Sequence, residues 1–521
     1  MNKNIYVNTL KIKNDTIYFC TDIPDNVSSL QAKLVFYNQQ EKNLFKTLSY
    51  KVQANHLMFS FSISSLKLIS GDWFLSLYNP VSNNFYTVIL SRKLRFQLIL
   101  GNYFIRKNDF IFFPMGSEQH KLIFRCRTAT QYDNLSTRLK EFVSFGLYKL
   151  SRPLWKKKKI WLVFEKYCMT AQDNGFYFFR YCMEKLPPDM HKHVYFILDK
   201  NSEQWPVLQK YRKQVIPFMS FRHIFYMLIA DLYIASDTRT HAYIWKPIPN
   251  LISREINRHD IFFLQHGVTA LKRVDHIFGK NGFTPMTYFA VTSHAEQNIV
   301  IENFGYDKEH APVVGFTRWD VLENKADINN KKILIMPTWR SWLEDKNDDF
   351  FCKSTYYKTY MSLLQNQELI SFLKESRTKM IFYIHPKLRE FIKNFHTPCP
   401  QIELIPFGKR PLNQLIMECS MLITDYSSVC WDVYYLGKPV LFYQFDLELY
   451  EETNGSYIDM KHDLFGDRCT EEKQLIALIK EYTKNNFKEK TIYSNMRKEY
   501  FSYHDQNNCK RTYDYIKKQG Y

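Results

Sequence analysis

The stretch MLITDYSSV, residues 421–429, reads as a short buried strand that runs directly into a turn with two serines. Its apolar residues end at Asp425, and a helical segment begins near residue 428. A strand that leads into a helix in this way is the repeating unit of a parallel sheet with both faces covered. The same pattern recurs around it, in KILIMPTW (332–339), IFYIHP (381–386), IELIPF (402–407) and PVLFY (439–443).

An earlier part of the chain has the same rhythm. Strand-like runs alternate there with helical stretches: KIWLVFE (159–165), VYFILD (194–199), VIPF (215–218), DLYIAS (231–236), IFFLQHG (261–267) and YFAVTS (288–293). A polar break, ENKADINNKK (323–332), separates the two series. We therefore predict an α/β protein with two Rossmann-like domains, at 161–327 and 328–521, and a cleft between them. Helices complete the second domain at its C-terminal end.

Residues 1–125 have a different pattern of apolar and polar residues. Short runs such as TIYFCT (16–21), HLMFSFSI (56–63) and FYTVILS (85–91) alternate apolar with polar residues and are separated by turn residues. This pattern predicts an all-β, sandwich-like accessory domain. No catalytic constellation is visible in it, so its role stays open.

Composition narrows the class of partner. The 521 residues include 71 Lys and Arg against 52 Asp and Glu, a formal net charge of +19. That excess favours an anionic partner such as nucleic acid, anionic lipid or a phosphate-rich polymer; an unspecialised basic surface is the alternative. Ten cysteines without a CxxC pair indicate reduced thiols in a cytosolic protein. The N-terminus lacks the apolar core of a signal peptide, and no uninterrupted apolar run of about 20 residues predicts a transmembrane helix.

Residues 126–160 read as a basic linker. Lysines occupy positions 156–159, with Trp155 and Trp161 on either side. Aromatic residues beside a lysine cluster suit the surface of an anionic membrane, so this segment is a candidate membrane contact. The alternative is a solvated linker that enters the next strand.

The turn in MLITDYSSV is a candidate phosphate site. Ligands of open parallel sheets bind beyond the carboxyl ends of strands, and the free N–H groups at a helix start attract phosphate. The hydroxyls of Ser427 and Ser428 add donors, and Asp432, one helical turn later, is placed to accept from a ribose hydroxyl. The alternative is that the serines only cap the helix.

Other strand ends carry basic and polar residues. Histidine is the usual general base near neutral pH, and Lys and Arg neutralise phosphoryl oxygens. The candidates that follow predicted strands are His266, Lys272 and Arg273 in FFLQHGVTALKR, His385 and Lys387 in FYIHPKL, Thr338 and Arg340 in IMPTWRSW, and Thr424 and Asp425 beside the serines.

These motifs together resemble the CDP-glycerol glycerophosphotransferases. The resemblance rests on HG…LKR at 266–273, G-x-x-R-x-D at 315–320, PTWR at 337–340, HPK at 385–387 and TDYSSV…D…GKP…FYQFD at 424–446. AQDNGFYFFRY at 171–181 also looks like the start of the family's first helix. The likeness covers about residues 160–485.

The resemblance implies a GT-B fold, with the acceptor site in the N-terminal α/β domain and the CDP-donor site in the C-terminal one. It also implies attachment to the cytoplasmic face of the membrane without a spanning helix. His266 would be the base or acceptor-site histidine, and His385 and Arg340 would contact the pyrophosphate. Ser427 and Ser428 would hold phosphate, and Asp432 the ribose.

The expected reaction is transfer of a polyol phosphate, glycerol phosphate above all, from a CDP-alditol to a hydroxyl of a lipid-linked or polymer acceptor, with release of CMP. No clustered carboxylates predict a protein-bound metal, and Mg²⁺ carried by the nucleotide stays open. A sugar-nucleotide glycosyltransferase with a GT-B fold is the main alternative, because it would share the nucleotide site. No sequence motif supports nucleic-acid binding. The alditol, the acceptor, primase or polymerase action and the oligomeric state stay open.

Overall fold

The computed structural model describes residues 3–24, 29–37, 44–100, 104–117, 119–244, 251–344, 346–406 and 408–521. The chain divides into two compact units. One is made of Met1–Lys157, Pro217–Ile229 and Tyr243–His259, and the other of Lys158–Ile216, Ala230–Ala242 and Asp260–Tyr521. Each unit is therefore assembled from stretches that are separate in the sequence.

The elements are numbered in chain order. The strands are β1 (Lys3–Lys13), β2 (Thr16–Asp22), β3 (Gln31–Tyr37), β4 (Phe45–Leu48), β5 (Tyr50–Gln53), β6 (His56–Ser62), β7 (Gly71–Asn79), β8 (Asn84–Leu90), β9 (Ile105–Lys107), β10 (Phe110–Gly116), β11 (Leu122–Thr128), β12 (Trp161–Phe164), β13 (Val194–Leu198), β14 (Val215–Pro217), β15 (Leu232–Ala235), β16 (Asp260–Phe263), β17 (Tyr288–Phe289), β18 (Lys332–Ile335), β19 (Lys379–Tyr383), β20 (Ile402–Ile405), β21 (Met421–Thr424), β22 (Val440–Tyr443) and β23 (Asp467–Cys469). The helices are α1 (Arg92–Leu100), α2 (Leu135–Lys156), α3 (Asn174–Lys185), α4 (Pro188–His191), α5 (Phe221–Ile229), α6 (Leu251–Ile256), α7 (Asp275–Phe278), α8 (His294–Phe304), α9 (Asp348–Lys353), α10 (Thr355–Gln365), α11 (Gln367–Glu375), α12 (Leu412–Glu418), α13 (Val429–Tyr435), α14 (Leu447–Asn454), α15 (Glu472–Lys484), α16 (Thr491–Tyr500) and α17 (Asn508–Lys518).

The N-terminal part of the first unit is β-rich, as predicted. Alternation decides which residues enter its core: in β2, Ile17 and Phe19 are buried while Tyr18 between them is exposed. In the described residues, β1 to β11 form one continuous sheet, ordered β5-β6-β2-β1-β8-β7-β11-β10-β9, with β3 paired to β7 and β4 to β3. The strands thus form one hydrogen-bonded sheet where the sequence suggested the two sheets of a sandwich. Helix α1 also interrupts the expected all-β composition.

Most of the predicted basic linker is helix α2. Its cap is Asn134, whose side-chain oxygen accepts the backbone N–H of Thr137 at 2.9 Å. Near its C-terminal end, the Trp155 ring lies 5.4 Å from that of Phe225 in α5. Trp161 lies in β12, where it is only 3% exposed, so the expectation that it flanks the lysines at a lipid surface is wrong. The burial of a whole strand, WLVF, explains its position.

Two parallel sheets follow. Their strand orders are β14-β13-β12-β15-β16-β17 and β20-β19-β18-β21-β22-β23. Within each series both sheets therefore run 3-2-1-4-5-6. The strands are short and buried on both faces, which explains their continuous apolar runs. Strand β23, with the sequence DRC, was not predicted because it has no apolar run.

The second of these sheets shows why both faces need apolar residues. Ile333 and Ile335 of β18 pack into one hydrophobic core, and Leu334 between them packs into another. Successive side chains of a strand point to opposite faces, so each face requires its own covering layer. Among the described helices, none is long and apolar enough to cross a membrane.

Candidate active site

The turn after β16 carries His266, and a buried polar network fixes its shape. Gln265 has a left-handed backbone, with φ 58°, which is uncommon for a residue with a side chain. Its amide donates to Glu296 at 3.0 Å, and its side-chain oxygen accepts from the Thr269 hydroxyl at 2.7 Å. Glu296 also accepts the backbone N–H groups of Thr269 and Thr292, both at 2.7 Å. Because these groups are buried and satisfied, they hold the turn rigidly.

His266 itself is exposed, with two carboxylates nearby. Its Nδ1 lies 3.3 Å from the carbonyl oxygen of Ser236, and Asp173 and Asp237 interact with it electrostatically. Burial raises the pKa of Asp173. Burial alone would raise the pKa of Asp237, but a hydrogen bond from His241 and the charge of His266 outweigh it and lower the pKa to about 2. An exposed imidazole beside a charged carboxylate is suited to accept a proton.

The serine turn after β21 touches the His266 turn. A methyl group on Gly267 would lie 2.5 Å from both Cβ and Oγ of Ser428, so the two turns are in direct contact. Ser427 Oγ accepts the N–H of Val429 at 3.4 Å, which is long for a hydrogen bond. Within the described residues, the Ser428 hydroxyl makes no capping bond to helix α13. Capping therefore accounts poorly for Ser428.

Three lysines approach one another beside these turns. Lys166 follows β12, Lys272 follows the His266 turn and Lys387 follows β19; all three act electrostatically on His385. The Nζ atoms of Lys387 and Lys272 lie 3.8 Å and 5.4 Å from the centre of the Trp339 ring. Burial and the charge of Lys387 lower the pKa of Lys272. We call these three residues the lysine cluster. Like charges held together in this way favour an anion between them.

His385 is a neutral imidazole within the lysine cluster. Burial, together with the charges of Lys166, Lys387 and Lys272, lowers its pKa to about 3. Its Nδ1 accepts the backbone N–H of Lys387 at 3.2 Å. Glu344 pairs with the Lys387 side chain at 2.6 Å and offsets part of the positive charge. At neutral pH, His385 is therefore uncharged and adds no cation to this site.

Arg340 does not face a ligand. It is fully buried, with Nη2 2.8 Å from Asp425 and Nε 2.8 Å from Asp446. Asp425 also accepts the backbone N–H of Thr338 at 2.8 Å, and Arg340 Nη1 donates to the Thr338 carbonyl oxygen at 2.7 Å. The Thr424 hydroxyl donates to a carbonyl oxygen at the end of β18, and the Thr338 hydroxyl is buried as well. A buried network that joins β18 to β21 therefore replaces the predicted pyrophosphate contact of Arg340 and the ligand contacts of Asp425 and Thr424. Thr338 joins it only through its backbone, and its hydroxyl has no hydrogen-bond partner among the described residues, so its ligand contact stays a prediction.

Asp432 is also engaged inside the protein. Its carboxylate accepts hydrogen bonds from Arg318 Nε at 2.9 Å, Arg318 Nη2 at 3.0 Å and Trp319 Nε1 at 2.6 Å. Arg318 Nη1 reaches Asp173 at 3.1 Å, at the start of α3. Both carboxylate oxygens thus have partners inside the protein, and the ribose contact of Asp432 stays a prediction. Asp432 ties α13 to the segment before the second sheet.

Arg273 and its neighbour Lys272 have side chains with different contacts. Its Nε donates to the carbonyl oxygen of Ser456 at 3.1 Å, and its guanidinium lies 5.6 Å from the Tyr457 ring. Arg273 thus packs against the loop after α14, and only Lys272 joins the lysine cluster. Among the described residues, no three His, Cys, Asp or Glu side chains are grouped as metal ligands.

A protein-family model matches most of this amino-acid sequence. The model for CDP-glycerol:poly(glycerophosphate) glycerophosphotransferases covers residues 146–518.

The chain belongs to this family.

Named relatives of this glycerophosphotransferase family act in teichoic acid synthesis. The minor teichoic acid biosynthesis protein GgaB of Bacillus subtilis (strain 168) is 31% identical over 378 residues, which is 70% of this chain and 40% of GgaB. The teichoic acid glycerol-phosphate primase of the same organism is 26% identical over 256 residues, 47% of this chain and 61% of the primase. The match spans less than two thirds of either relative.

A solved structure shares the fold. The wall teichoic acid polymerase TagF superposes with a TM-score of 0.51 at 16% identity, and the match covers 74% of this chain and 98% of the TagF chain. At this identity the likeness concerns the fold alone, a mixed α/β architecture.

Sequence reasoning missed several residues of the candidate site. Lys166 follows strand KIWLVFE, as the other candidates follow theirs, so the same strand-end rule could have found it. Gly267 stood in the quoted HG motif, but its contact with Ser428 joins residues 161 positions apart. Arg318 acts through Asp432, 114 positions away, and Asp237 through His266, which lies beyond an intervening strand. No sequence spacing signals such pairs.

Proposed function

We propose that the chain transfers an alditol phosphate, glycerol phosphate first, from a CDP-alditol to a hydroxyl of a lipid-linked or polyol-phosphate acceptor, in teichoic acid or related cell-surface polymer synthesis. Family membership and the named relatives support the substrate class. The observation that carries the proposal is the contact of Gly267 with Ser428. It sets the exposed imidazole of His266 beside a turn with two hydroxyl donors.

The proposed arrangement is GT-B, with an acceptor domain over 161–327 and a donor domain over 328–521. The identical strand orders of the two parallel sheets support it, because 3-2-1-4-5-6 is the order of a doubly wound nucleotide-binding fold. In that fold, ligands bind beyond the carboxyl ends of the strands. The ends of β12, β16, β19 and β21 carry the lysine cluster, His266, His385 and the serine turn.

The proposed chemistry is an in-line phosphoryl transfer. The acceptor hydroxyl attacks the β-phosphorus of the donor, the new P–O bond forms, and the bond to CMP breaks. His266 takes the proton of the attacking hydroxyl, and the neighbouring carboxylate of Asp237 stabilises the imidazolium that results. The nucleotide phosphate leaves as CMP without needing a protein acid.

The remaining groups stabilise charge on the transferred phosphoryl oxygens. The lysine cluster supplies cations, and the hydroxyls of Ser427 and Ser428 supply neutral donors. Positioning and electrostatic stabilisation provide most of the catalysis in such transfers. His385, which is neutral, acts here as a hydrogen-bonding group between the lysines.

A direct test compares His266→Ala with His462→Ala, a histidine whose side chain is 78% exposed elsewhere on the second unit. CMP release from CDP-glycerol with a lipid-linked acceptor should fall by about a hundredfold or more in His266→Ala, as expected on loss of a general base. The His462→Ala control should match wild type. Near-native turnover of His266→Ala would remove His266 from the mechanism.

A donor panel tests the substrate class. CDP-glycerol and CDP-ribitol should yield CMP, while UDP- and GDP-sugars should yield no nucleotide product. Turnover of a sugar nucleotide in place of a CDP-alditol would establish the glycosyltransferase alternative. Sizing the product distinguishes addition of one unit from polymerisation.

We also propose that the protein works at the cytoplasmic face of the membrane as a peripheral protein. The exposed lysines at 157–159 and the net charge of +19 support attraction to anionic lipid. Salt-dependent sedimentation with anionic membranes tests this attachment.

A further inference from the structure

A gap interrupts the N-terminal sheet between β7 and β8. The two strands pair over residues 77–79 and 84–86 and then separate. Strand β7 continues beside β11, whereas Ile89 of β8 bridges to Lys121, just before β11. The gap is therefore bounded by three segments of backbone, which are 74–76, 86–88 and 121–122.

This gap forms a pocket on the outer face of the sheet. Its volume is about 310 Å³, near the lower end of the range of about 300–1,000 Å³ for small-molecule sites. A pocket of this size has room for one monosaccharide or one short alditol. Because side chains alternate across a strand, its solvent-facing residues point away from buried neighbours such as Leu77 and Val88. These solvent-facing residues include Ser76, Phe85, Thr87 and Lys121.

A pair of aromatic rings flanks the pocket. The ring centres of Phe85 and Tyr78 lie 4.6 Å apart, and Phe85 is 54% exposed. The Tyr78 hydroxyl donates to the side-chain oxygen of Asn83 at 3.1 Å, which holds the Tyr78 ring in place. The face of an aromatic ring carries partial negative charge, so the C–H groups of a polyol or sugar pack well against it. The hydroxyls of Ser76 and Thr87, beside the Phe85 ring, match the O–H groups of such a compound.

Charge decides which polyhydroxy compound fits. Residues 1–128 contain 16 basic and 7 acidic side chains. Lys121 is exposed at the pocket, and Lys33 of β3 lies directly opposite Ser76 on the same face of the sheet. Asp72, the acidic residue of β7, is paired with Arg125 at 2.6 Å. The surface around the pocket is therefore positive and complements a phosphate-bearing polyol better than a neutral one.

We propose that this pocket binds one unit of the growing polyol-phosphate polymer, with the carbon skeleton against Phe85 and the phosphate at Lys121 and Lys33. The proposal rests on the proposed function, which supplies the polymer. It adds a binding site outside residues 146–518, which the family model matches. A polymer held at two linked sites binds more tightly than at either site alone. The N-terminal sheet thus retains the product between additions.

The test measures binding of the full chain to purified poly(glycerol phosphate), in parallel with poly(U) RNA and with neutral dextran. In the pocket variant, Phe85→Ala/Lys121→Ala, the Kd for poly(glycerol phosphate) should rise by about tenfold or more, because one of two linked sites is lost. The control, Phe350→Ala/Lys353→Ala, removes a comparably exposed phenylalanine and an exposed lysine from the second unit and should bind like wild type. Dextran, which lacks phosphate, should bind none of the three proteins.

A second variant guards against loss of folding in the first. Lys121→Glu keeps the aromatic pair and should also weaken polymer binding, because the new carboxylate repels phosphate. Equal weakening in the pocket variant and the control would indicate unspecific charge attraction and overturn the proposal. Tighter binding of poly(U) than of poly(glycerol phosphate), lost in the pocket variant, would assign the pocket to nucleic acid and overturn it as well.

The binding assay contains no CDP-glycerol, so it is independent of turnover. Absence of CMP release by wild type would count against the proposed function, while polymer binding would still decide the proposal made here. Normal CMP release by wild type, together with unchanged polymer binding in the pocket variant, would overturn the second site and leave the proposed function intact.

Discussion

At the scale of single residues, the position of Ser428 requires a glycine at position 267. The space where its side chain would lie is occupied by Ser428, at 2.5 Å. A real Cβ contact does not come so close, so the two turns fit together only because residue 267 has no side chain. This residue therefore sets the separation between the His266 turn and the serine turn.

Replacement of Gly267 by Ala should force these turns apart. We expect Gly267→Ala to lower the free energy of unfolding by about 1–3 kcal/mol, the usual cost of overpacking. In a Ser428→Gly background most of that cost should disappear, a coupling of about 1 kcal/mol or more in urea unfolding.

Gly146→Ala is the matched control for that experiment. Nothing lies within 4 Å of the added methyl group at position 146, which is inside helix α2. Alanine there should stabilise the protein by about 0.5–1 kcal/mol through helix propensity. Equal effects at 267 in both backgrounds would contradict the contact with Ser428.

At the scale of elements, Arg318 and Asp432 form a tie. The Arg318 guanidinium donates hydrogen bonds to Asp432 in α13 and to Asp173 at the start of α3. The Arg318 side chain is 12% exposed. The tie thus connects a helix of the second sheet with the first helix after β12. A role of Asp432 in ribose binding and a role in this tie predict different measurements.

Asp432→Ala separates the two roles. We expect it to lower the free energy of unfolding by about 3–5 kcal/mol, because it leaves a buried arginine without its partner. Asp349→Ala, which breaks an exposed pair with Lys353, should cost less than about 1 kcal/mol. A rise in donor KM with unchanged stability would instead restore the ribose role.

The sequence was sufficient for most strands of the two parallel sheets and for the strand ends at which the candidate residues lie. Apolar runs such as MLIT and KILI are buried strands, and the residues after them gather His266, His385 and the serines. It was insufficient for Arg340, because its partner Asp446 lies 106 positions away and nothing local distinguishes a buried arginine from a phosphate ligand. The spacing of the leucines in α2 likewise predicts an amphipathic helix but not which face is buried.

At the scale of the whole molecule, the two units interleave along the chain. Helix α2 packs against α5, which belongs to a later stretch, through Trp155 and Phe225. Ile224 and Leu228 of α5 are fully buried and Phe225 is 8% exposed. Removal of α2 would therefore expose an apolar helix face.

Two truncations test this dependence. A chain that starts at residue 135 keeps α2 against α5, whereas a chain that starts at residue 158 loses it. We expect the first to remain the more soluble and to unfold cooperatively, and the second to aggregate through its uncovered α5. Soluble fraction and gel filtration check this. Equal solubility of the two would mean that α5 does not depend on α2.

The same interleaving bears on synthesis of the protein. Ribosomes synthesise a chain from its N-terminus at about 5–20 residues per second. The first unit needs Pro217–Ile229 and Tyr243–His259, so it cannot finish folding before residue 259 has emerged. During that interval α2 is already made while its partner Tyr243 is not, and the nascent chain presents both its polar and its leucine-rich sides. Chaperones that bind apolar nascent segments are therefore expected to contact this helix at the ribosome.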